Sequence, residues 1–307
     1  MQMPQRRSRM SRTRTGKRVE LTPRDLEIFK LLEQYRYLRS TFIHAFVGGA
    51  SATRFKERLG DLFHEGYLDR PSQQWNFANA LHRPAVYENG SEAARTLREA
   101  GLTVGNRHTF LSEMPHRQFL HSLMICGTLA SLDLGVRADQ RLRLIAWPEI
   151  LGRAPRAACS SRTPFRLPIP SGGYLIPDGM FGLEYAIGSL KAYRFFALEA
   201  DRGTMPVGRS NPNQSSYLGK IVAYREIIAR QVHKTYLGLP NLLVLTLTTE
   251  ESRLAEIIRR LSSQSDNSAA FLFKSLNASN LMAPAPQLLT EAWQRAGHLP
   301  LRIDESD

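Results

Sequence analysis

The run from Asn241 to Leu247, Asn-Leu-Leu-Val-Leu-Thr-Leu, is apolar at nearly every position. A strand of this kind offers no side to water, so it has to lie inside a sheet that is covered on both faces. Helical patterns flank it. About twenty residues after 213 carry Tyr217, Lys220, Ile221, Tyr224, Ile227 and Ile228, and a second helical stretch covers 250–262. A further strand at 270–273 continues the alternation, which predicts an α/β sheet with helices on both sides. A chain of 307 residues is longer than one such layer arrangement needs, leaving the first third for a separate domain.

That first third reads as short helices. Thr22-Pro23 is a helix start, with a threonine cap, proline at the first helical position and Asp25 in the first turn. Leu26, Phe29 and Leu32 then form an apolar stripe at helical spacing. A short helix follows from Ser40 to Val47, stopped by Gly48-Gly49. Ser51 caps a third helix with Phe55, Leu59 and Leu62 on one side and Gly66 at its end. Two short strands, Tyr67-Leu68-Asp69 and Ala85-Val86-Tyr87, enclose a polar loop, and residues 88–101 form a further helix, capped near Ser91. Helices with a glycine turn before the third, then two strands, look like a winged helix-turn-helix domain over 21–102. The third helix turns Thr53, Arg54, Lys56 and Arg58 away from its apolar stripe, where they would meet a DNA major groove, with Arg70 and Arg83 contributing from the wing.

The charge balance agrees with a polyanionic partner. The chain holds 41 Lys and Arg against 28 Asp and Glu, a net +13. Seven of those bases (Arg6, Arg7, Arg9, Arg12, Arg14, Lys17 and Arg18) fall in the first eighteen residues with no acid among them. Residues 1–20 are therefore expected to be a disordered basic arm, with Arg12 and Arg14 on DNA phosphates. A transit peptide shares that composition but would need an amphipathic apolar stripe. No uninterrupted apolar run reaches the length of a membrane span. The two cysteines, Cys126 and Cys159, form neither a zinc spacing nor a disulfide framework. A reduced, cytoplasmic protein with no membrane partner is expected.

The second domain is expected over 113–302. A helix over 116–135 is apolar almost all round and contains His121, which fits either the core or a ligand role. Strands are expected at 141–147, 174–177, 180–187 and 192–200. Between the first two runs a long loop, 148–172, whose Arg153, Arg156, Arg162 and Arg166 are candidate nucleic-acid contacts. Two acidic signals stand out: Pro177-Asp178-Gly179, and Phe195-Phe196-Ala197-Leu198-Glu199-Ala200-Asp201. Alternation along a strand puts Ala197, Glu199 and Asp201 on one face. Asp178, Glu199 and Asp201 are hard oxygen donors that would suit Mg²⁺ or Mn²⁺ and phosphodiester chemistry. The same residues also fit a plain role, with Asp178-Gly179 as a hairpin turn and Glu199 and Asp201 paired to arginines.

A Pro-Asp turn, an apolar strand ending in Glu-x-Asp, and an αβββαβ order resemble the PD-(D/E)XK restriction-endonuclease-like superfamily. With a winged helix in front and Leu198-Glu199-Ala200-Asp201-Arg202-Gly203-Thr204 followed by Lys220 and Tyr224, residues 20–250 resemble the bacterial replication-relaxation family. The resemblance implies a plasmid or mobile-element protein acting in plasmid replication and DNA relaxation on duplex DNA, with Asp178 and Glu199 as metal-binding acids. It departs from the nuclease pattern at Asp201, which stands where a lysine is expected. Lys220, one helical turn before Tyr224, and Arg202 are the candidate replacements for that cation. Metal-dependent nicking is one function this implies. The alternative is a non-catalytic winged-helix transcriptional regulator, or an antitoxin-like protein, with a degenerate nuclease fold. The C-terminal segment is expected to add a helix bearing Trp293 and an acidic solvated tail, Asp304-Glu305-Ser306-Asp307.

Overall fold

A computed structural model describes residues 7–306 apart from 15, 17–18, 50, 77–78, 105–115, 160–164, 204–205, 208–215, 263–268 and 278–281. The chain is mixed α/β and divides into two compact units, Met1–Ser131 with Leu281–Ala285, and Leu132–Asn280 with Pro286–Asp307. Arg6, Lys17, Arg18, Arg162, residues 105–115 at the boundary between the two expected domains and Thr204 lie outside the described residues.

In unit 1 the order is α1 (Pro23–Tyr35), β1 (Leu38–Arg39), α2 (Ser40–Val47), α3 (Ala52–His64), β2 (Leu68–Asp69), β3 (Val86–Asn89) and α4 (Ser91–Glu99), followed by the start of α5 (His116–Arg137). The three strands form an antiparallel sheet in the order β1-β3-β2. Strand β1 has no counterpart in the sequence reading, because two residues are too short to show a period. The last helix starts later than expected, since 88 and 89 complete β3 and Gly90, not Ser91, is the cap. Between β2 and β3 the polar stretch is not a plain loop. It forms tight turns at Ser72–Asn76 and Ala80–His82, and the buried Gln74 amide binds Pro71 O and Val86 O and accepts from Val86 N.

The core of this unit gathers Ile28, Phe29, Leu32, Phe42, Ile43, Phe55, Leu59, Leu62 and Val86, with Phe119, Leu123, Cys126 and Ala130 of α5. That packing accounts for the composition of α5, the one helix among the described residues long and apolar enough to cross a membrane, of which 56% of the apolar window is buried in the protein. His121 within it is half-buried.

The basic arm is not free over its described residues, contrary to expectation. Arg12 donates to Phe63 O at 2.9 Å, to Leu68 O at 3.0 Å and to Asp69, while Arg7 pairs with Asp61 at 2.5 Å. Arg9 donates to the carbonyls of Leu81 and Arg83, Thr13 N donates to His64 Nδ1, and Arg14 lies over Gly66. The acceptors are the Phe63 carbonyl at the C-terminal end of α3, where the helix dipole is negative, together with carbonyls and acids of β2 and the turns after it. The arm reaches them from more than fifty residues away in sequence.

Unit 2 continues with β4 (Leu142–Ile145), α6 (Trp147–Arg153), α7 (Arg156–Cys159), β5 (Leu167–Pro168), β6 (Tyr174–Leu175), β7 (Gly179–Ile187), β8 (Leu190–Asp201), α8 (Tyr217–Ala229), α9 (Val232–Leu237), β9 (Leu243–Thr248), α10 (Glu251–Ser262), β10 (Phe271–Ser275), α11 (Gln287–Thr290), β11 (Trp293–Arg295) and β12 (His298–Leu301). Seven strands make one mixed sheet in the order β12-β11-β10-β9-β8-β7-β4. The pairs β4·β7 and β7·β8 are antiparallel and β8·β9 and β9·β10 parallel. Strand β9 is the apolar run 241–247 shifted slightly, and it lies between β8 and β10 as its composition requires.

Several expectations are corrected. The expected loop 148–172 contains α6 and α7. The expected strand 174–177 shrinks to β6, which pairs with β5 outside the main sheet. The twenty-residue helix breaks at Gln231, whose φ of 54° ends one helix and begins α9. Trp293 is fully buried, but on a strand of the hairpin β11·β12 rather than on a helix. The acidic tail is docked: Ile303 O accepts from Tyr185 Oη at 2.6 Å, and Asp304 is buried and paired with Arg302.

The entry to α1 shows how closely one carboxylate can govern a local fold. Asp25 closes a capping box with Thr22 and receives both Nε (3.0 Å) and a terminal nitrogen (2.6 Å) of Arg58 from α3. Burial works to raise its pKa, but the hydrogen bonds from Arg58 and Thr22 outweigh it and hold the carboxyl below its ordinary value. Arg58→Ala is expected to destabilise unit 1 by about 2 kcal/mol, by leaving a buried carboxylate short of its charged donor. Because the folded pKa is depressed, the difference between parent and variant should be full at neutral pH and shrink as pH falls through the carboxylate range; urea denaturation at a series of pH values measures it.

Candidate functional site at the end of strand β8

Strands β7 and β8 form a hairpin turning at Gly188 and Ser189, with Gly179 opposite Leu198 as its outermost pair. One further step in the same register sets Asp178 opposite Glu199. Their separation in sequence is therefore the separation a two-stranded ribbon needs to bring two acids together. Ala200 N donates to Asp178 Oδ2 at 2.9 Å, which fixes the aspartate at this end of the ribbon. The reading of Asp178-Gly179 as a hairpin turn is thereby corrected: Gly179 opens a strand. The hairpin is tightly packed, for Gly182 pairs with Phe195 and a Cβ at Gly182 would stand 2.8 Å from the phenyl ring.

Helix α8 covers the face that carries Glu199. Tyr217, Ile221 and Tyr224 fall on one side of it and join Ala197 and Val244 in the core of the unit. Two polar side chains of α8 meet the acid: Lys220 Nζ donates to Glu199 Oε2 at 2.5 Å and Tyr224 Oη to Oε1 at 2.6 Å. Glu199 is only 3% exposed. Burial, reinforced by the negative charge of Asp178, pushes its pKa up to about 7, with Lys220 and Tyr224 pulling the other way. For Lys220 burial disfavours the ammonium, but the charges of Glu199 and Asp178 win and raise its pKa. Burial and the charge of Glu199 lift Tyr224 far above an ordinary phenol, so it stays a donor.

Asp201 belongs to a different arrangement. It faces the same way as Glu199 but pairs with Arg253 Nε of α10 at 2.8 Å and accepts from Gly203 N at 2.9 Å. Among the described residues no group of three or more His, Cys, Asp or Glu is gathered closely enough to hold a metal ion. Of the three expected acids, Asp178 and Glu199 lie together in the hairpin register, and Asp201 is held by an arginine as the plain reading allowed. Lys220 is brought to the acids; Arg202 is half-buried beside them in sequence, with interactions of its own.

Sequence reasoning missed Arg253 and the neighbour pair Tyr217 and Thr246, whose hydroxyls share a hydrogen bond of 2.6 Å. Thr246 stands beside Glu199 and Thr248 beside Asp201 in the parallel register of β8 and β9. The only trace of this in the sequence is a pair of threonines, two apart, interrupting an otherwise aliphatic strand.

In unit 1 the candidate DNA-contacting residues separate into two groups. Thr53, Arg54 and Lys56 are exposed on α3. Arg58 is committed to Asp25 and Glu20 O. Arg70 stacks on Phe63 and Tyr87 and donates to Tyr87 Oη at 2.8 Å, and Arg83 is half-buried.

A family model described as replication-relaxation matches residues 29–243. The chain belongs to the replication-relaxation family. No curated protein and no solved structure matches it. Membership associates the chain with plasmid replication and relaxation. The matched span of this replication-relaxation protein takes in Asp178, Glu199, Asp201, Lys220 and Tyr224, and it stops within β9, short of Arg253.

The raised pKa of Glu199 gives a pH signature. Between an ordinary glutamate value and about 7, the unfolded chain has lost a proton that the folded chain retains, so stability contributed by this group falls as pH rises through that window. In Glu199→Gln the fall should vanish: urea midpoints of unit 2 measured from about pH 5 to about pH 7.5 should decline in the parent and stay flatter in the variant.

Proposed function

We propose that this replication-relaxation protein binds duplex DNA through unit 1, a winged helix, and cleaves a phosphodiester in unit 2, a restriction-endonuclease-like domain, relaxing supercoiled plasmid by nicking it. One observation carries the catalytic part: an ammonium from α8 lies on Glu199, with Asp178 opposite in the hairpin register. Lys220 thereby supplies the cation that Asp201 cannot. Its approach from a helix rather than from the strand itself is consistent with the lysine of the nuclease pattern having moved.

The roles follow from charge and position. Lys220 would stabilise negative charge as it builds on the phosphate, and its raised pKa keeps it an ammonium for that task. Tyr224 orients the Glu199 carboxylate. Asp201 and Arg253 brace the strand end without touching the phosphate.

The donor chemistry of Asp178 and Glu199 suits Mg²⁺ or Mn²⁺, since hard carboxylate oxygens, one or two per ion with water completing the shell, are the usual protein share of a magnesium site. Such an ion would hold and activate water and neutralise phosphate charge. Without a metal Glu199 has a pKa near 7, so an ion has to displace its proton at neutral pH and the metal should bind more tightly as pH rises through that range.

The exposed Thr53, Arg54 and Lys56 on α3 and the net charge of the chain support the DNA-binding part. Arg54→Ala and Lys56→Ala should each lower the slope of log affinity against log salt by about 1 on duplex DNA, measured by fluorescence anisotropy.

Supercoiled plasmid incubated with Mg²⁺ or Mn²⁺ tests cleavage. Asp178→Ala and Glu199→Ala should abolish nicking, and Lys220→Ala should slow it by about a hundred- to a thousandfold. Asp201→Asn should lower the stability of unit 2 by leaving the buried Arg253 unpaired, while the folded fraction nicks within about tenfold of the parent, because Asp201 is turned to Arg253 rather than to the acid pair. Parent protein that binds DNA with the expected salt slope yet never nicks would favour the non-catalytic regulator.

A further inference from the structure

The approach to Asp178 from its N-terminal side is an extended segment with a regular pattern of exposure. Tyr174 and Ile176 are 57% and 55% exposed, Leu175 and Pro177 between them are buried, and Asp178 follows half-buried. Alternation of this kind puts Tyr174 and Ile176 on one side of the segment, opposite Leu175, and a bend at Asp178 then leads into β7. Two large apolar side chains in water, four and two residues before a carboxylate, are not accounted for by packing.

The segment is firmly based. Leu167 and Leu175, from the paired strands β5 and β6, sit in the core with Ile221 and Tyr224 of α8. Ser171, in the turn between them, donates to Glu226 of the same helix at 2.6 Å. The helix that delivers Lys220 to Glu199 therefore also anchors this hairpin. On its outer side, Arg166 places its guanidinium 3.9 Å from the centre of the Tyr174 ring. The neighbouring Phe165 meets the exposed Trp147 edge-on, so aromatic surface continues beyond the pair.

We propose that Tyr174, backed by Arg166, is a stacking platform for an unpaired base of the DNA strand that passes Asp178. A guanidinium against one ring face stiffens the tyrosine and leaves the ring largely open, which is the surface a planar base covers. Ile176 supports the adjoining sugar. Arg166 also offers charge to the backbone, which an apolar protein partner would have no use for. This inference rests on the reading of the acid pair as a DNA-cleaving site and narrows its substrate to a locally unpaired strand, as in strongly supercoiled or melted DNA.

Binding of a labelled single-stranded oligothymidylate to the full chain tests it, in EDTA so that no cleavage occurs and with excess unlabelled duplex to occupy unit 1. Tyr174→Ala should weaken single-strand binding by about five- to a hundredfold, and Tyr174→Phe, which keeps the ring, by less than about twofold. Arg166→Ala should fall between the two, and Leu190→Ala, an exposed apolar residue at the far turn of the β7·β8 hairpin, should change nothing. Duplex affinity should be unaltered in all four. Single-strand binding that survives Tyr174→Ala overturns the proposal, as does equal loss in Tyr174→Phe, which would point to the hydroxyl. The two readings fail separately: Tyr174-dependent binding without nicking by the parent removes only catalysis, and nicking with Tyr174-independent binding removes only the platform.

Discussion

Asp178 and Glu199 repel each other, and the fold of unit 2 holds them together regardless. The nine residues of β7 are paired along β8, and that ladder, not any attraction between the acids, decides that they meet. Once a carboxylate is fixed in a buried position, it demands partners. Lys220 and Tyr224 answer that demand, which ties α8 to the sheet by polar contacts as well as by Ile221 and Ile227. Asp201, two residues on and facing the same way, makes the same demand and is met by Arg253. Two adjacent buried acids thus dock two helices, α8 and α10, on one face of the sheet. The arrangement is costly in desolvation and specific in geometry.

What the sequence disclosed follows from the range of the interactions involved. Periodicity and caps are local, so α1, α2, α3, β7, β8 and α10 could be read nearly to their ends. The acid pair was legible because a hairpin is the simplest long-range contact: one turn and a count of residues relate its two ends. Arg253 was not legible. It reaches Asp201 from a helix that follows a parallel strand, and neither spacing nor composition marks one arginine among several on α10. The C-terminal hairpin was missed for a related reason. Trp293 is apolar and buried in either a helix or a strand, and the three-residue β11 is too short to show its period.

The arm illustrates how composition can mislead about structure while being right about chemistry. Its arginines do seek negative and carbonyl oxygens, as a basic segment should. The nearest are at the end of α3 and in the turns after β2, and the described residues of the arm lie against them. Composition ranks segments by what they can bind in principle; which of those groups the fold brings alongside decides what they do bind.

Because the meeting of Asp178 and Glu199 is a matter of register, the site depends on counting. Most single substitutions along the β7·β8 ribbon leave the count intact and leave the acids opposite each other. A residue inserted or removed within either strand shifts everything beyond it by one place, and with a two-residue period that turns an acid from the α8 side of the sheet to the opposite side. Gly188 and Ser189, at the far end of the ribbon and about 30 Å from the acids, are thus as much a part of the site's geometry as the residues that line it. Among homologous chains, length between the proline before Asp178 and the glutamate should vary far less than the side chains that fill it.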